Sequence, residues 1–154
     1  MTERTTLALL AAAGSAELLL GALAFQYLGG LYPCVLCIWQ RWPHVVALVF
    51  AALALWRGGW VWPVLAGLAA LTSAGIGVFH VGVEQGWWDG LLQCSVNTLA
   101  GLSTADLLNT DITVGAPAAC DKVAWSMFGI SMPGWNVICS TAIAGIWAVV
   151  ARKS

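Results

Sequence analysis

Four long apolar runs constrain the fold of this chain more than any other feature, and they cover residues 7–28, 37–56, 61–83 and 135–151. Each run is near the length of about 20 residues that an α-helix needs to cross the hydrocarbon core of a bilayer. The chain of 154 residues is 60% hydrophobic and only 8% charged, whereas a soluble domain of this size needs more charge to cover its surface. We therefore predict an all-α membrane protein, a single domain over residues 1–154 in which four transmembrane helices form a bundle. We expect residues 84–134 to form a long extramembrane loop between the third and fourth helices.

The basic residues are divided unequally between the two ends of the predicted spans. One end has Arg4, Arg57, Arg152 and Lys153, and the other has Arg41 and Lys122. An excess of basic residues marks the cytoplasmic side, so we predict that both termini are cytoplasmic and that the long loop faces outward. The net charge of −1 gives no indication of a nucleic-acid partner.

A Cys-x-x-Cys pair, Cys34 and Cys37, precedes the second apolar run, and Arg41 follows four residues after the second cysteine. The run must begin near Cys37, because residues 43–56 alone make a helix of only about 21 Å, which is too short to cross. Cys37 and Arg41 then share one helix face at the edge of the hydrocarbon. The guanidinium and the helix N-terminus both favour a thiolate, so we expect Cys37 to be the most reactive cysteine.

Two other interpretations of this pair involve no redox chemistry. A zinc site needs a second cysteine or histidine pair at short spacing, but the remaining cysteines, Cys94, Cys120 and Cys139, lie far apart in the sequence. A structural disulfide across so short a ring removes little entropy from the unfolded chain. We therefore favour a redox role for the pair and predict no metal site.

The predicted outer loop carries two more cysteines, Cys94 and Cys120. Their separation is large enough for a structural disulfide between them to remove considerable entropy from the unfolded loop. Residues 123–130 contain apolar and aromatic side chains, and we expect them to form a short amphipathic helix on the bilayer surface. Such a helix would hold the second loop cysteine near the membrane.

Four further residues have simple structural interpretations. Glu17 lies near the middle of the first run, where a charge costs about 2.5–3.5 kcal/mol, so we expect it to be protonated or hydrogen-bonded in a buried contact. From spacing alone, His44 and His80 are interfacial or packing residues at the ends of their runs. Cys139 falls inside the fourth run and is most simply a small packing residue.

Two thiol pairs at one membrane surface can exchange electrons, because each step needs only a thiolate that attacks a neighbouring disulfide. The electrons must finally leave the protein. A reactive cysteine beside an arginine at the membrane edge favours a lipid-soluble two-electron acceptor, and a quinone has these properties. Arg41 and His80 could then donate hydrogen bonds to its carbonyl oxygens and stabilise negative charge there.

Several segments of the chain together match one known family. They are the run Pro33-Cys34-Val35-Leu36-Cys37-Ile38-Trp39-Gln40-Arg41, the segment from His80 to Glu84, Cys94 with Cys120, and the run Gly129-Ile130-Ser131-Met132-Pro133-Gly134-Trp135. In this combination the chain resembles, over essentially its whole length, the DsbB family of bacterial disulfide bond formation proteins. The resemblance implies an enzyme of the bacterial inner membrane that reoxidises the periplasmic dithiol oxidase DsbA and passes two electrons to ubiquinone or menaquinone.

The resemblance also implies a role for each matching residue. Cys94 would form the mixed disulfide with DsbA, and Cys120 would be its partner in the loop. Cys34 and Cys37 would be the membrane-proximal pair, with Cys37 next to the quinone. The residues of the quinone pocket would be Arg41, His80 and Met132. Cys139 matches no redox position of the family.

Two alternatives stay open on the sequence. Enzymes similar to vitamin K epoxide reductase also join a Cys-x-x-Cys pair to a quinone in a helical bundle, but there the pair is expected after the loop cysteines, and here it precedes them. A non-catalytic four-span scaffold, similar to tetraspanins or claudins, would use Cys94 and Cys120 only as a staple. The scaffold gives no reason for Arg41 to follow Cys37 by one helical turn.

Overall fold

A computed structural model describes residues 2–91 and 119–154 of the chain. The described part has four long helices and one small hairpin: α1 (Glu3–Tyr27), α2 (Val35–Arg57), α3 (Val61–Glu84), β1 (Ser126–Met127), β2 (Ile130–Ser131) and α4 (Met132–Arg152). All four helices are long and apolar enough to cross a membrane. The predicted fold class, a bundle of four membrane-spanning helices with a long connection between the third and fourth, is confirmed.

The second helix begins two residues before the predicted start of its run. Cys34 is its N-cap residue, and the Cys34 Sγ accepts a hydrogen bond of 3.2 Å from the backbone N–H of Cys37. Pro43 therefore lies well inside α2, where its ring nitrogen has no hydrogen to donate to the preceding turn. The start of α2 at Val35 brings both cysteines to the first turn of a helix.

Small residues along α3 allow α4 to pack closely against it. Ala66, Ala70 and Ala74 recur every four positions, and all three are buried. A Cβ added at Gly77 would lie only 2.7 Å from the Cγ2 of Val137 on α4. Small side chains let two helix backbones approach in a membrane, where packing rather than exclusion of water stabilises association.

The buried apolar residues form two clusters at opposite ends of the bundle. The larger cluster contains Ala8, Ala11, Ala51, Ala54, Ala66, Ala70, Ile143, Ala144, Trp147 and Val150. The smaller cluster contains Cys34, Leu36, Val83 and Cys120. The second cluster therefore joins the start of α2, the end of α3 and the segment that precedes the hairpin.

Both termini and the α2–α3 turn lie at the end of the bundle that is remote from the Cys-x-x-Cys pair. Lys153 Nζ forms an ion pair of 2.8 Å with Glu3. The Arg4 guanidinium donates to Ser154 Oγ at 2.9 Å and to the carbonyl of Gly59 at 3.5 Å. Polar contacts thus tie the ends of the chain to the connection between α2 and α3.

The amphipathic helix predicted for residues 123–130 is wrong, because this segment contains the β1–β2 hairpin. Met127 pairs with Ile130, and the two residues between them, Phe128 and Gly129, have φ angles of 53° and 77°. Two successive positive φ angles are typical of the tight turns that join antiparallel strands, and the second is readily adopted by glycine. A helix of this length would also gain few backbone hydrogen bonds for the cost of nucleation.

The buried contact expected for Glu17 is likewise not found. Glu17 is exposed on the surface of α1 and makes no hydrogen bond to any described residue. Only Ala8, Ala11 and Ser15 are buried on α1, so most of this helix faces outward from the bundle. Glu17 lies instead at the rim of a cavity that forms part of the candidate site.

Candidate functional site

The two cysteines of the Cys-x-x-Cys pair make different contacts. The Cys34 thiol donates a hydrogen bond of 2.8 Å to the Cys37 Sγ. Cys34 is only 2% exposed, whereas Cys37 is half-buried. The hydrogen bond to Cys37 and the burial of the thiol raise the pKa of Cys34, so this thiol keeps its proton. Cys37, which accepts that hydrogen bond, is thus the better placed of the two to react.

His80 contacts the buried cysteine of the pair, Cys34, and does not line the cavity beside Cys37. Its Nε2 is 3.6 Å from the Cys34 Sγ, and its Nδ1 is 3.0 Å from the amide nitrogen of Gln40. The backbone of Cys120 lies close to the same ring. His80 is 2% exposed and is not among the residues that line the cavity beside Cys37. It therefore contacts both thiol-bearing segments directly.

Cys120 is fully buried and lies in the same apolar cluster as Cys34. It is disulfide-bonded, while Cys34, Cys37 and Cys139 have free thiols. Cys94, the other predicted loop cysteine, lies outside the described residues. The fold thus brings Cys120 close to the Cys34 and Cys37 pair, although these residues are far apart in the sequence.

A cavity of about 250 Å³ opens beside Cys37, between α1, α2, the start of α4 and the residue that precedes the hairpin. Most of its wall is apolar and aromatic. The polar or reactive side chains in the wall are those of Glu17, Cys37, Gln40, Arg41, His44 and Asn136. Met132, the first residue of α4, also lines the cavity. A mainly apolar cavity with a few polar groups is typical of a site for a small organic ligand.

Arg41 lines the cavity on the same side as Cys37, as their four-residue spacing on α2 predicts. One guanidinium nitrogen donates to the Gln26 Oε1 at 2.6 Å, and a second donates to the Ala22 carbonyl at 3.4 Å. The arginine therefore bridges α2 to α1. A guanidinium has five N–H donors in total, so these two contacts leave donors for a ligand.

Some residues of the site have no signal in the linear sequence. Trp125 packs against Phe25 of α1 with the two rings tilted by 51° and 5.1 Å between their centroids, and it lines one side of the cavity. Asn136 enters from α4 and hydrogen-bonds the side chain of Gln40 at 2.8 Å. His44 does have such a signal, because it follows Cys37 by seven residues and Arg41 by three and so shares their helix face, but a histidine there is also typical of an interfacial or packing residue.

Cys34, Cys37 and His80 also have the atom types of a metal site. Their two sulfurs and one ring nitrogen all lie within 4.8 Å of one another, the only such group of three among the residues that the structure describes. A structural zinc ion takes four ligands. This group offers only three. The contacts of 2.8 Å between the two sulfurs and 3.6 Å from the Cys34 Sγ to the His80 Nε2 also suit reversible disulfide chemistry.

Comparison with known proteins agrees with this arrangement. The family described as "Disulfide bond formation protein DsbB" matches residues 4–150. The chain belongs to the DsbB family. The match includes all five cysteines and nearly the full length of all four helices. The chain is accordingly a membrane protein of disulfide bond formation, and its family chemistry is that of a disulfide-forming oxidoreductase.

Individual DsbB proteins are similar to the chain over most of their length. "Disulfide bond formation protein B 1" of Burkholderia lata is 33% identical over 143 residues, covering 84% of this chain and 81% of the relative. "Disulfide bond formation protein B" of Methylococcus capsulatus is 35% identical over 130 residues, covering 80% and 79%. The Paracidovorax citrulli protein of the same name is 29% identical and covers 98% and 88%. No solved structure matches the chain significantly.

Proposed function

We propose that the chain oxidises a periplasmic dithiol protein of the DsbA type and passes the two electrons to a membrane quinone, ubiquinone or menaquinone. The observation that carries the proposal is the position of Cys37, which lies in the wall of a mainly apolar cavity together with Arg41. A lipid-soluble acceptor suits such a cavity, and a water-soluble one does not. The DsbB family membership supports the thiol side of the reaction.

The thiol steps need only disulfide exchange. A thiolate of the partner attacks Cys94 of a Cys94–Cys120 disulfide, so that a mixed disulfide forms at Cys94 and Cys120 leaves as the thiolate. The second partner thiol releases Cys94 and becomes oxidised. The reduced loop pair then reduces the Cys34–Cys37 disulfide by the same chemistry. Burial of Cys120 in one cluster with Cys34 supports this last transfer.

The cavity residues fit a quinone, which accepts two electrons and two protons and is released as hydroquinone. Arg41 presents guanidinium donors to an oxygen of the head group, and Met132 and the aromatic residues contact its apolar faces. Cys37 is the cysteine next to it, and Cys34 keeps its thiol proton until that pair is oxidised. We assign His80 to the thiol pair itself, where its contact with the Cys34 Sγ orients that side chain.

The same proposal includes a location. We infer that the protein lies in the bacterial inner membrane, with both termini in the cytoplasm and the cysteines of the relay at the periplasmic side. Four of the six basic residues, Arg4, Arg57, Arg152 and Lys153, belong to the end of the bundle with the termini. Basic residues in short connections favour the cytoplasmic side.

Steady-state turnover of the purified full-length chain tests the proposal. With a reduced DsbA-type protein and a short-chain ubiquinone or menaquinone, we expect one quinone to be reduced for each pair of partner thiols oxidised. Cys37→Ser and Cys94→Ser should abolish this turnover, because each breaks one disulfide of the relay. Cys139→Ser is the matched control, since Cys139 has a free thiol and does not line the cavity.

Two results would overturn the proposed function. Wild-type turnover in Cys37→Ser would show that electrons do not pass through the membrane-proximal pair. Loss of partner thiols without any reduction of quinone would show that the acceptor is of another class. A non-catalytic scaffold predicts neither thiol oxidation nor quinone reduction, and it gives no role to a cavity beside a free thiol.

A further inference from the structure

His44 is a buried histidine that the proposed thiol relay does not use. It is 2% exposed, and it lines the cavity beside Cys37 and Arg41. Its Nε2 faces α4, but its Nδ1 is buried and has no hydrogen-bond partner in the described structure. A buried polar atom without a partner is uncommon in proteins, so Nδ1 is a candidate contact for something that enters the cavity.

The orientation of Gln40 decides which ring nitrogens of the nearby histidines carry hydrogens. The Gln40 amide nitrogen is 3.1 Å from the backbone carbonyl of Leu36, which can only accept, so this side of the amide is the NH₂ group. The Gln40 Oε1 must then be the acceptor on the other side. It accepts at 2.8 Å from the amide nitrogen of Asn136.

The orientation of Asn136 follows from two independent contacts. Its amide nitrogen faces both the Gln40 Oε1 and, at 3.3 Å, the backbone carbonyl of Ser73. The Asn136 Oδ1 therefore faces the Nε2 of His44, 3.2 Å away. Because this oxygen can only accept, Nε2 carries the hydrogen, and Nδ1 of the neutral ring is left with an unshared lone pair.

We infer that the His44 Nδ1 accepts a hydrogen bond from a hydroxyl group of the reduced acceptor, the hydroquinone. This inference depends on the proposed function, because it assumes that the cavity binds a quinone. Quinone oxygens only accept hydrogen bonds, whereas hydroquinone hydroxyls also donate. A lone pair at Nδ1 thus interacts with the product and not with the substrate, while Arg41, a donor, can bind either form.

The placement of the two side chains suits the two oxygens of one head group. Arg41 and His44 lie three residues apart on α2, which corresponds to an axial rise of about 4.5 Å and a common helix face. One side chain can thus contact each end of a ring that lies along the helix. Preferential binding of the hydroquinone makes reduction of the bound quinone more favourable, because the complex with the product is stabilised.

Equilibrium binding to the full-length chain in detergent tests this inference without turnover. The ligands are a short-chain hydroquinone, kept anaerobic, and its dimethyl ether, which has the same ring and no hydroxyl donor. We expect the wild type to bind the hydroquinone at least about tenfold more tightly, the value for one hydrogen bond of roughly 1.4 kcal/mol. His44→Phe keeps an aromatic ring and should reduce this ratio to near one.

Ser140→Ala is the matched control for His44→Phe. The Ser140 Oγ is 3.1 Å from the same Nε2, so this variant disturbs the network behind the ring but leaves the Asn136 contact and Nδ1 in place. We expect it to keep the wild-type ratio. Equal loss of the ratio in both variants would overturn the inference, since the effect would then belong to the network.

The outcomes separate this inference from the proposed function. Equal binding of hydroquinone and ether by the wild type would overturn the role of His44 while the quinone site stands. Binding of neither ligand would overturn both. If His44→Phe does not fold, nitrogen NMR of ¹⁵N-histidine in the wild type decides, because the unprotonated Nδ1 signal should shift with hydroquinone and not with the ether. No shift with hydroquinone would overturn the inference.

Discussion

At the scale of single residues, Cys34 and Cys37 show how two thiols in one turn come to differ. Cys34 is the N-cap of α2, so its Sγ accepts from the Cys37 N–H while its own hydrogen points to the Cys37 Sγ. Cys37 stands in the first turn of the helix, where the free N–H groups favour negative charge. Because of these contacts at the start of the helix, Cys34 keeps its thiol hydrogen and the Cys37 sulfur acts as the acceptor.

Alkylation of the reduced protein should reveal this difference. At a mildly alkaline pH of about 8, we expect iodoacetamide to modify Cys37 at least about tenfold faster than Cys34. The raised pKa of Cys34 keeps it as an unreactive thiol above the pH at which a free cysteine ionises, and each pKa unit changes the thiolate fraction about tenfold. Peptide mass spectrometry gives the two rates. Faster labelling of Cys34 would contradict the assignment.

Arg41 should affect the quinone and not the thiol partner. Arg41→Ala removes a charged donor from the cavity wall, so we expect the KM for quinone to rise about tenfold to a hundredfold, as for the loss of a hydrogen bond to a charged group. The KM for the reduced partner should stay within about threefold. Gln26→Ala, which removes the 2.6 Å contact with the guanidinium and leaves the contact with the Ala22 carbonyl, is the control and should have a smaller effect. Equal changes in both KM values would argue against a contact with quinone.

The sequence predicted the shared face of Cys37 and Arg41, but not the neighbours of Arg41. The spacing of four residues on a helix is local information, and hydropathy is enough to place that helix. Gln26 reaches the site from α1, and Trp125 reaches it from the segment before the hairpin. Hydrophobic periodicity describes neighbours within one helix, so it cannot predict contacts between residues so far apart in the sequence. For His44 the sequence predicts only a packing residue, because its unpartnered Nδ1 becomes apparent only when Asn136 and Ser140 are in position.

At the scale of secondary-structure elements, the α3–α4 contact organises the polar interior. Gly77 lets Val137 approach so closely that Asn136, the residue before Val137 on α4, reaches Gln40 and Ser73. Asn136 therefore joins α2, α3 and α4 through one side chain. Hydrogen bonds between helices in a membrane are commonly built on such close approaches of small residues.

Gly77→Ala should destabilise the bundle. The added Cβ would lie 2.7 Å from the Val137 Cγ2 and 3.3 Å from polar atoms of Asn136 and Gln40. Overpacking of this kind costs about 1–3 kcal/mol, which we expect as a lower free energy of unfolding in detergent. Gly75→Ala is the control, because no atom lies within 4 Å of its added Cβ and alanine favours the helix. Equal stability of the two variants would contradict the close packing.

The hairpin is the element that the sequence does not predict. Apolar and aromatic residues at 123–130 have a composition that suits a surface helix, and a segment so short gives little periodicity with which to separate helix from strand. The signal that decides between them is the pair Phe128 and Gly129, which adopts the turn conformation between β1 and β2. In so short a segment, the residues that can form a tight turn are a better guide to the structure than hydropathy.

At the scale of the whole molecule, the bundle has two chemically different ends. One end carries the termini, most of the basic residues and an apolar cluster that is rich in alanine. The other end carries Cys34, Cys37 and Cys120, the cavity and the buried histidines. This polarity was predictable, because the order of the apolar runs and the positions of the charges are both read directly from the sequence.

Reporter fusions test the orientation of these two ends in a bacterial membrane. We expect alkaline phosphatase fused after Ser154 to be inactive, since this enzyme needs the oxidising periplasm and the C-terminus is predicted to be cytoplasmic. A green fluorescent protein at the same position should fluoresce. Phosphatase inserted after Gln85, at the opposite end of the bundle, is the control and should be active. The reverse pattern would contradict the proposed topology.

The contact between Trp125 and Phe25 has a mechanical consequence. Trp125 forms part of the cavity wall and follows Cys120 by five residues, a stretch that spans at most about 17 Å when fully extended. If Cys120 moves away from the bundle by more than this length, Trp125 must lose its contact with Phe25 on α1, and the cavity then opens on that side. In the proposed reaction, a movement of Cys120 towards a docked thiol substrate would therefore also open the cavity in which we place the quinone.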